Sequence, residues 1–210
     1  MTEAEGDTLI APGQRSGAWA LPERLGLTEE IELLRRFFAE WLESCDPELA
    51  PMLSYQLSSR SKLFRPVTVF ACHRALSDEV VDRLLPAAGA AELLHNYATV
   101  TDDIVDRDRV RRGKLSLHAK FGMLAAQMTG AYLCFAAHQL VADDPRALRI
   151  FTELGKRIAA VECRQWRLRR TTGMTMVVSS APAYWPVGAL SGQARGERSG
   201  AMAALHSVGE

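Results

Sequence analysis

Thr101-Asp102-Asp103-Ile104-Val105-Asp106-Arg107-Asp108-Arg109-Val110-Arg111-Arg112-Gly113-Lys114 decides how the rest of this chain is read. On a helix, Asp102 and Asp106 lie one turn apart on one face, with Asp103 flanking them. Three close carboxylates at low dielectric repel one another unless a cation is present. Mg²⁺ is the natural candidate, because it takes one or two carboxylates and fills its shell with phosphate oxygens and waters. Arg111 and Arg112 follow at once, positioned to hold remaining phosphate charge by paired hydrogen bonds. An acidic patch running into a basic one suits a diphosphate bridged by metal. A solvated helix end laced with i, i+4 ion pairs has the same look, so the stretch needs company.

Upstream, Ser61-Lys62-Leu63-Phe64-Arg65-Pro66 sets two cations three residues apart just before a helix. Pro66 suits the helix opening, and Lys62 with Arg65 can clamp a second anion; an ordinary basic turn is the plainer reading. His95 lies seven residues before Asp102, two turns back on the same helical face. A lone helical histidine is more often a packing residue than a ligand.

Outward from this centre the chain reads as helices. Ile31, Leu34, Phe38, Trp41 and Leu42 form an apolar stripe after Thr28, Glu29 and Glu30, which suit a helix start. Asp46-Pro47 punctuates, and a second helix runs toward Ser58. A third follows Arg65-Pro66 with Val67, Val69, Phe70 and Leu76. Ser77-Asp78 offers a cap for a long helix through Ile104, and Pro86 inside that span leaves one helix, a break or two helices open. A charged turn from Arg107 to Lys114 leads into an uncharged helical span over 123–142. Asp143-Asp144-Pro145 opens a last helix reaching about Arg170. With no period-2 series and no repeat, the class is all-α. Residues 1–26, rich in Gly, Pro and small residues, read as a flexible N-terminal arm, and 27–210 as one domain.

Composition narrows the function. The 25 basic residues balance 25 acidic ones across 210, so no net basic field recruits nucleic acid or an anionic membrane. A hydrophobic content of 48% can bury a real core. Cys45, Cys72, Cys134 and Cys163 are widely spaced with no C-x-x-C pair, which fits reduced thiols in the cytoplasm. The opening residues lack an apolar signal segment, and the two long uncharged stretches carry too many polar groups to read as membrane spans.

These residues together resemble the polyprenyl diphosphate synthases, the head-to-tail trans-prenyltransferases. The family's G-K-x-x-R-P element stands here as Ser61-Lys62-Leu63-Phe64-Arg65-Pro66, and its E-L-L-H as Glu92-Leu93-Leu94-His95. The first aspartate-rich motif is Asp102-Asp103-Ile104-Val105-Asp106. The R-R-G element with its following histidine runs from Arg111 to His118. The resemblance implies an all-α bundle of the isoprenoid (terpenoid) synthase type and a Mg²⁺-dependent condensation of isopentenyl diphosphate with an allylic diphosphate. It implies Asp102, Asp103 and Asp106 as Mg²⁺ ligands chelating the allylic diphosphate, and Arg111 on the same substrate. Lys62, Arg65, His95 and Arg112 would hold isopentenyl diphosphate. Tyr97 and Ala98, just before the aspartates, would form the floor of the product tunnel and favour farnesyl or geranylgeranyl length. Dimers are common in the family.

The sequence also departs from the pattern. A second aspartate-rich motif is not found: after Arg170 the only acidic residues are Glu197 and Glu210. Gly130-Ala131 stands where the family often has G-D, and Arg164-Gln165 where it has G-Q. The bundle is therefore expected to be shortened at its C-terminal side, with apolar faces that a partner or a second copy would cover. Two other readings follow: a non-catalytic fragment or partner subunit of the same fold, and a class I terpene cyclase. The cations at Lys62 and Arg65 favour elongation over cyclisation, since a cyclase needs no second diphosphate site.

Overall fold

Pro86 opens a helix instead of breaking one. The computed structural model describes residues 21–58, 63–76 and 84–172, and within them the long helix α5 runs Leu85–Asp106 with its proline in the first turn. There the missing N–H is one that no helix would have used, and the fixed φ already suits the helix. The expected cap at Ser77-Asp78 lies outside the described residues. Before α5 come α1 (Leu21–Arg24), α2 (Thr28–Glu43), α3 (Ala50–Leu57) and α4 (Phe64–Leu76). After it come a hairpin of β1 (Val110–Arg111) and β2 (Lys114–Leu115), then α6 (Leu117–Phe121), α7 (Met123–Leu140) and α8 (Pro145–Thr172). The all-α reading holds, with those two-residue strands as the exception among the described residues.

Helix α5 is the axis of the molecule and packs most extensively on α7. Its first half, Ala87-Ala88-Gly89-Ala90-Ala91, is entirely buried. Small side chains let neighbouring helices close in: a Cβ on Gly89 would stand 2.9 Å from Phe37 Cε1 and 3.3 Å from Leu140 Cδ1. Further along, Gly130 of α7 faces Val100 and Tyr97, so the two helices run antiparallel. Leu34 of α2, Val67 and Phe70 of α4, Leu93 and Leu94 of α5 and Leu133 of α7 fill the core between them. Each such side chain contributes about 1.5–3 kcal/mol on leaving water. The aromatic sequence Phe37, Phe38, Trp41, Tyr132, with ring centroids 5.8 to 6.4 Å apart, ties α2 to α7.

Residues 21–26, expected to belong to a flexible arm, are part of the fold. Leu21–Arg24 form a helical turn with Pro22 buried, and Arg74 donates to Gly26 O at 2.6 Å and pairs with the buried Glu30. Apolar Pro22 and Leu27 find the core here, which the Gly- and Pro-rich composition concealed. Residues 1–20 lie outside the described part.

At the other end, Asp144 caps α8: its Oδ1 accepts from the backbone N–H of Arg146 at 2.9 Å and of Ala147 at 3.0 Å. Ala147, Phe151 and Leu154 are the buried stripe of that helix, while Val161 and Trp166 beyond them are exposed. Among the described residues no helix is long and apolar enough to cross a membrane.

Candidate functional site

The second half of α5 carries the residues singled out by chemistry, and the way it ends aims the basic residues back at it. Arg107 takes a left-handed conformation, φ 58°. Its N–H donates to Ile104 O at 3.3 Å, and Asp108 N–H to Asp103 O at 2.9 Å. That is a Schellman stop, built here with arginine where glycine is usual. The chain then turns again at Arg112 and Gly113, φ 53° and 82°. Two successive positive values make a type I′ turn, whose twist matches a two-residue hairpin. The charged turn read from the sequence is therefore a hairpin, with Val110 opposite Leu115 and Arg111 opposite Lys114. Four paired residues are too few to show a period of two.

This reversal brings Arg111 onto Asp103. Its Nε donates to Asp103 Oδ1, and a second guanidinium nitrogen lies 3.9 Å from Asp108 Oδ2. Asp103 is only 3% exposed. Burial pushes its carboxyl above the usual range, Arg111 draws it back, and Asp108 and Asp102 push it up again. The three aspartates are thus divided. Asp102 is half-buried and Asp106 exposed, one turn apart on α5, whereas Asp103 has turned onto the hairpin. Among the described residues no three His, Cys, Asp or Glu side chains are grouped closely enough to hold a metal ion on their own. A pair of carboxylates at i, i+4 nevertheless has the donor chemistry Mg²⁺ asks for, since that ion takes one or two carboxylates and leaves its other positions to phosphate and water.

Two turns back along α5 the site is cationic. Arg65 sits in the first turn of α4, half-buried. Burial disfavours its charge most, Glu92 restores some of it, and Arg112 opposes it. His95 is pushed down to about 3, by burial first and then by Arg65, Arg112 and Arg111. The imidazole is therefore neutral near pH 7, with three guanidiniums acting on it. Lys62 lies outside the described residues. Tyr97 is half-buried against the main core, and Ala98 lies half-buried one turn before Asp102.

Several contributors carried no signal in the sequence. Gln56 Nε2 donates to Asn96 Oδ1 at 3.2 Å, and Asn96 Nδ2 donates to Glu92 O at 2.9 Å and Glu92 Oε1 at 3.4 Å. All three side chains are buried, and such groups are costly unless hydrogen-bonded. This network joins α3 to α5 at the cleft that Arg111 and Arg112 line. Gln56, Asn96, Thr99, Asp103, Arg111 and Arg112 line one cleft. Glu92 stood inside the quoted E-L-L-H string without a role of its own; its place beside Arg65 is what the structure adds.

Residues 46–182 match the family model described as polyprenyl synthetase. The geranylgeranyl diphosphate synthase of Methanosarcina mazei is 32% identical over 123 residues, 57% of this chain and 38% of that protein. The farnesyl diphosphate synthase of Geobacillus stearothermophilus is 32% identical over 142 residues, 62% of this chain and 47% of that protein. The chain thus spans less than half the length of these curated relatives. Among solved structures, an isoprenoid synthase family member from Thermotoga neapolitana superposes with a TM-score of 0.64 at 26% identity, covering 69% of this chain and 58% of that one.

Proposed function

Because the chain belongs to the polyprenyl synthetase family, we propose that its site serves the condensation of isopentenyl diphosphate with an allylic diphosphate. The product is a linear isoprenyl diphosphate of farnesyl to geranylgeranyl length. Asp102 and Asp106, with Asp103 behind them, would hold Mg²⁺, which when bound offsets the charge of the allylic diphosphate so that its C–O bond can ionise. Arg111 neutralises the same leaving group from the hairpin. Arg65 and Arg112, joined by Lys62, hold isopentenyl diphosphate. Neutral His95 adds a hydrogen-bond donor without further charge. Holding the two substrates side by side lets the isopentenyl double bond attack the allylic cation. One C–C bond forms, the allylic C–O bond breaks, and a proton leaves to the released diphosphate. Tyr97 and Ala98 bound the growing tail.

The observation that carries this reading is the cleft where Asp103, Arg111 and Arg112 meet, with Arg111 paired to Asp103 next to Asp102 on α5. A carboxylate pair beside a guanidinium cluster suits two diphosphates held in different ways, and the site supports the reading where a fold alone would not. We also infer a homodimer, supported by Leu124 (70% exposed), Met128 and Phe135 (75% exposed) along α7, and a cytoplasmic location, supported by four free cysteines.

The test is a Mg²⁺-dependent assay with labelled isopentenyl diphosphate and dimethylallyl, geranyl or farnesyl diphosphate, with products resolved by chain length. A labelled product lost in Asp102→Ala is expected, with a raised KM for isopentenyl diphosphate in Arg112→Ala. Folded protein that gives no product from any starter overturns the proposal. Turnover of an allylic diphosphate without isopentenyl diphosphate would indicate a cyclase.

A further inference from the structure

The hairpin that carries Arg111 and Arg112 has two-residue strands, and so short a ribbon is marginal by itself in water. One side chain of α3 secures it. Tyr55 donates its hydroxyl proton to Leu115 O at 2.8 Å, across a separation of 60 residues. Lys114, paired across the ribbon with Arg111, donates to Tyr55 O at 2.9 Å. The same ammonium lies 4.2 Å from the Tyr55 ring centroid, and that of Lys120 lies 3.7 Å away. Phe121 meets the ring edge-on at 5.4 Å. Burial holds the phenol above its ordinary value, so the hydroxyl stays a donor at any working pH. Next to it, Gln56 bonds Asn96 of α5. Two consecutive residues of α3 therefore reach the hairpin and the helix it must face.

We propose that Tyr55 is a positioning residue: its hydroxyl and ring latch the Arg112–Gly113 hairpin to α3 and so hold Arg111 and Arg112 in place beside His95. The inference rests on the diphosphate reading of that site. Loosening the latch lets both guanidiniums spread over many positions, and the ligand must then supply the ordering.

Tyr55→Phe removes only the hydroxyl bond; Tyr55→Leu removes the ring as well. Both are measured by hydrogen exchange at the amides of residues 110–116, and by calorimetric titration with inorganic pyrophosphate in Mg²⁺. In Tyr55→Phe, with its thermal midpoint unchanged, faster exchange and about three- to tenfold weaker pyrophosphate binding are expected, the scale of one hydrogen bond. Tyr55→Leu is expected to weaken binding further, and Lys114→Met to reproduce the exchange effect. Faster exchange with unchanged pyrophosphate affinity overturns the proposal, as does unchanged exchange. Should the unsubstituted chain bind no pyrophosphate, the diphosphate reading fails instead. The exchange measurement then decides the latch alone: faster exchange upholds it and unchanged exchange refutes it.

Discussion

His95 couples the stability of the fold to pH. Its folded value is about 3 against an ordinary 6.5, because burial and the charges of Arg65, Arg112 and Arg111 all disfavour the imidazolium. A depressed histidine stabilises the fold above the unfolded value and gives that stability up as pH falls toward the folded one. Over that interval the unfolded chain takes up a proton that the native site refuses. Between pH 7.5 and pH 5 the loss from this one group is about 2 kcal/mol, or about 4–8 °C in thermal midpoint for a chain of this size. His95→Gln has no proton to take up at that position. Urea unfolding of both proteins at the two pH values isolates the effect, since every other titrating group is common to them. The expected outcome is an acid loss about 2 kcal/mol smaller in His95→Gln. Parallel losses in the two proteins would refute the claim that three guanidiniums and burial keep His95 neutral.

Three further outcomes follow from the same geometry. Arg111→Ala leaves the Asp103 carboxylate buried without its ion pair; with the arginine side chain 37% exposed, the cost is about 2 kcal/mol, below that of a fully buried pair. Adding Asp103→Asn to that variant is expected to recover most of the loss in denaturant unfolding. Arg107→Gly relieves the left-handed conformation at the end of α5 and is expected to stabilise by about 0.5–1 kcal/mol, read as a higher urea midpoint. Gly89→Ala puts a methyl group 2.9 Å from the Phe37 ring and is expected to cost about 1–3 kcal/mol as that ring is displaced, with a matching drop in thermal midpoint.

Much of the fold was legible because helices are written locally. The stripe from Ile31 to Leu42, the Asp144 cap before α8 and the uncharged span of α7 each rest on contacts within a few residues. Pro86 left the reading open because proline forbids a helix interior and favours a helix start with the same side chain, and only the true start tells the two apart. The division of the aspartates was illegible for a different reason. Helical spacing puts Asp102 and Asp106 on one face, but whether Asp103 joins them depends on where the hairpin returns Arg111.

By itself, then, the amino-acid sequence determined the all-α class, the order of most helices, the spacing of Asp102, Asp106 and His95 along α5, and the family to which they point. These follow from a period of 3.6 residues and from motif order, both of which survive without any long-range contact. Tertiary structure alone decided that Asp103 pairs with Arg111, that His95 is neutral, and that Tyr55 and Gln56 support the site. Tyr55 meets Leu115 across 60 residues and Gln56 meets Asn96 across 40. Such partners are chosen by how helices pack and by which buried polar groups find one another there, and no local pattern encodes that choice.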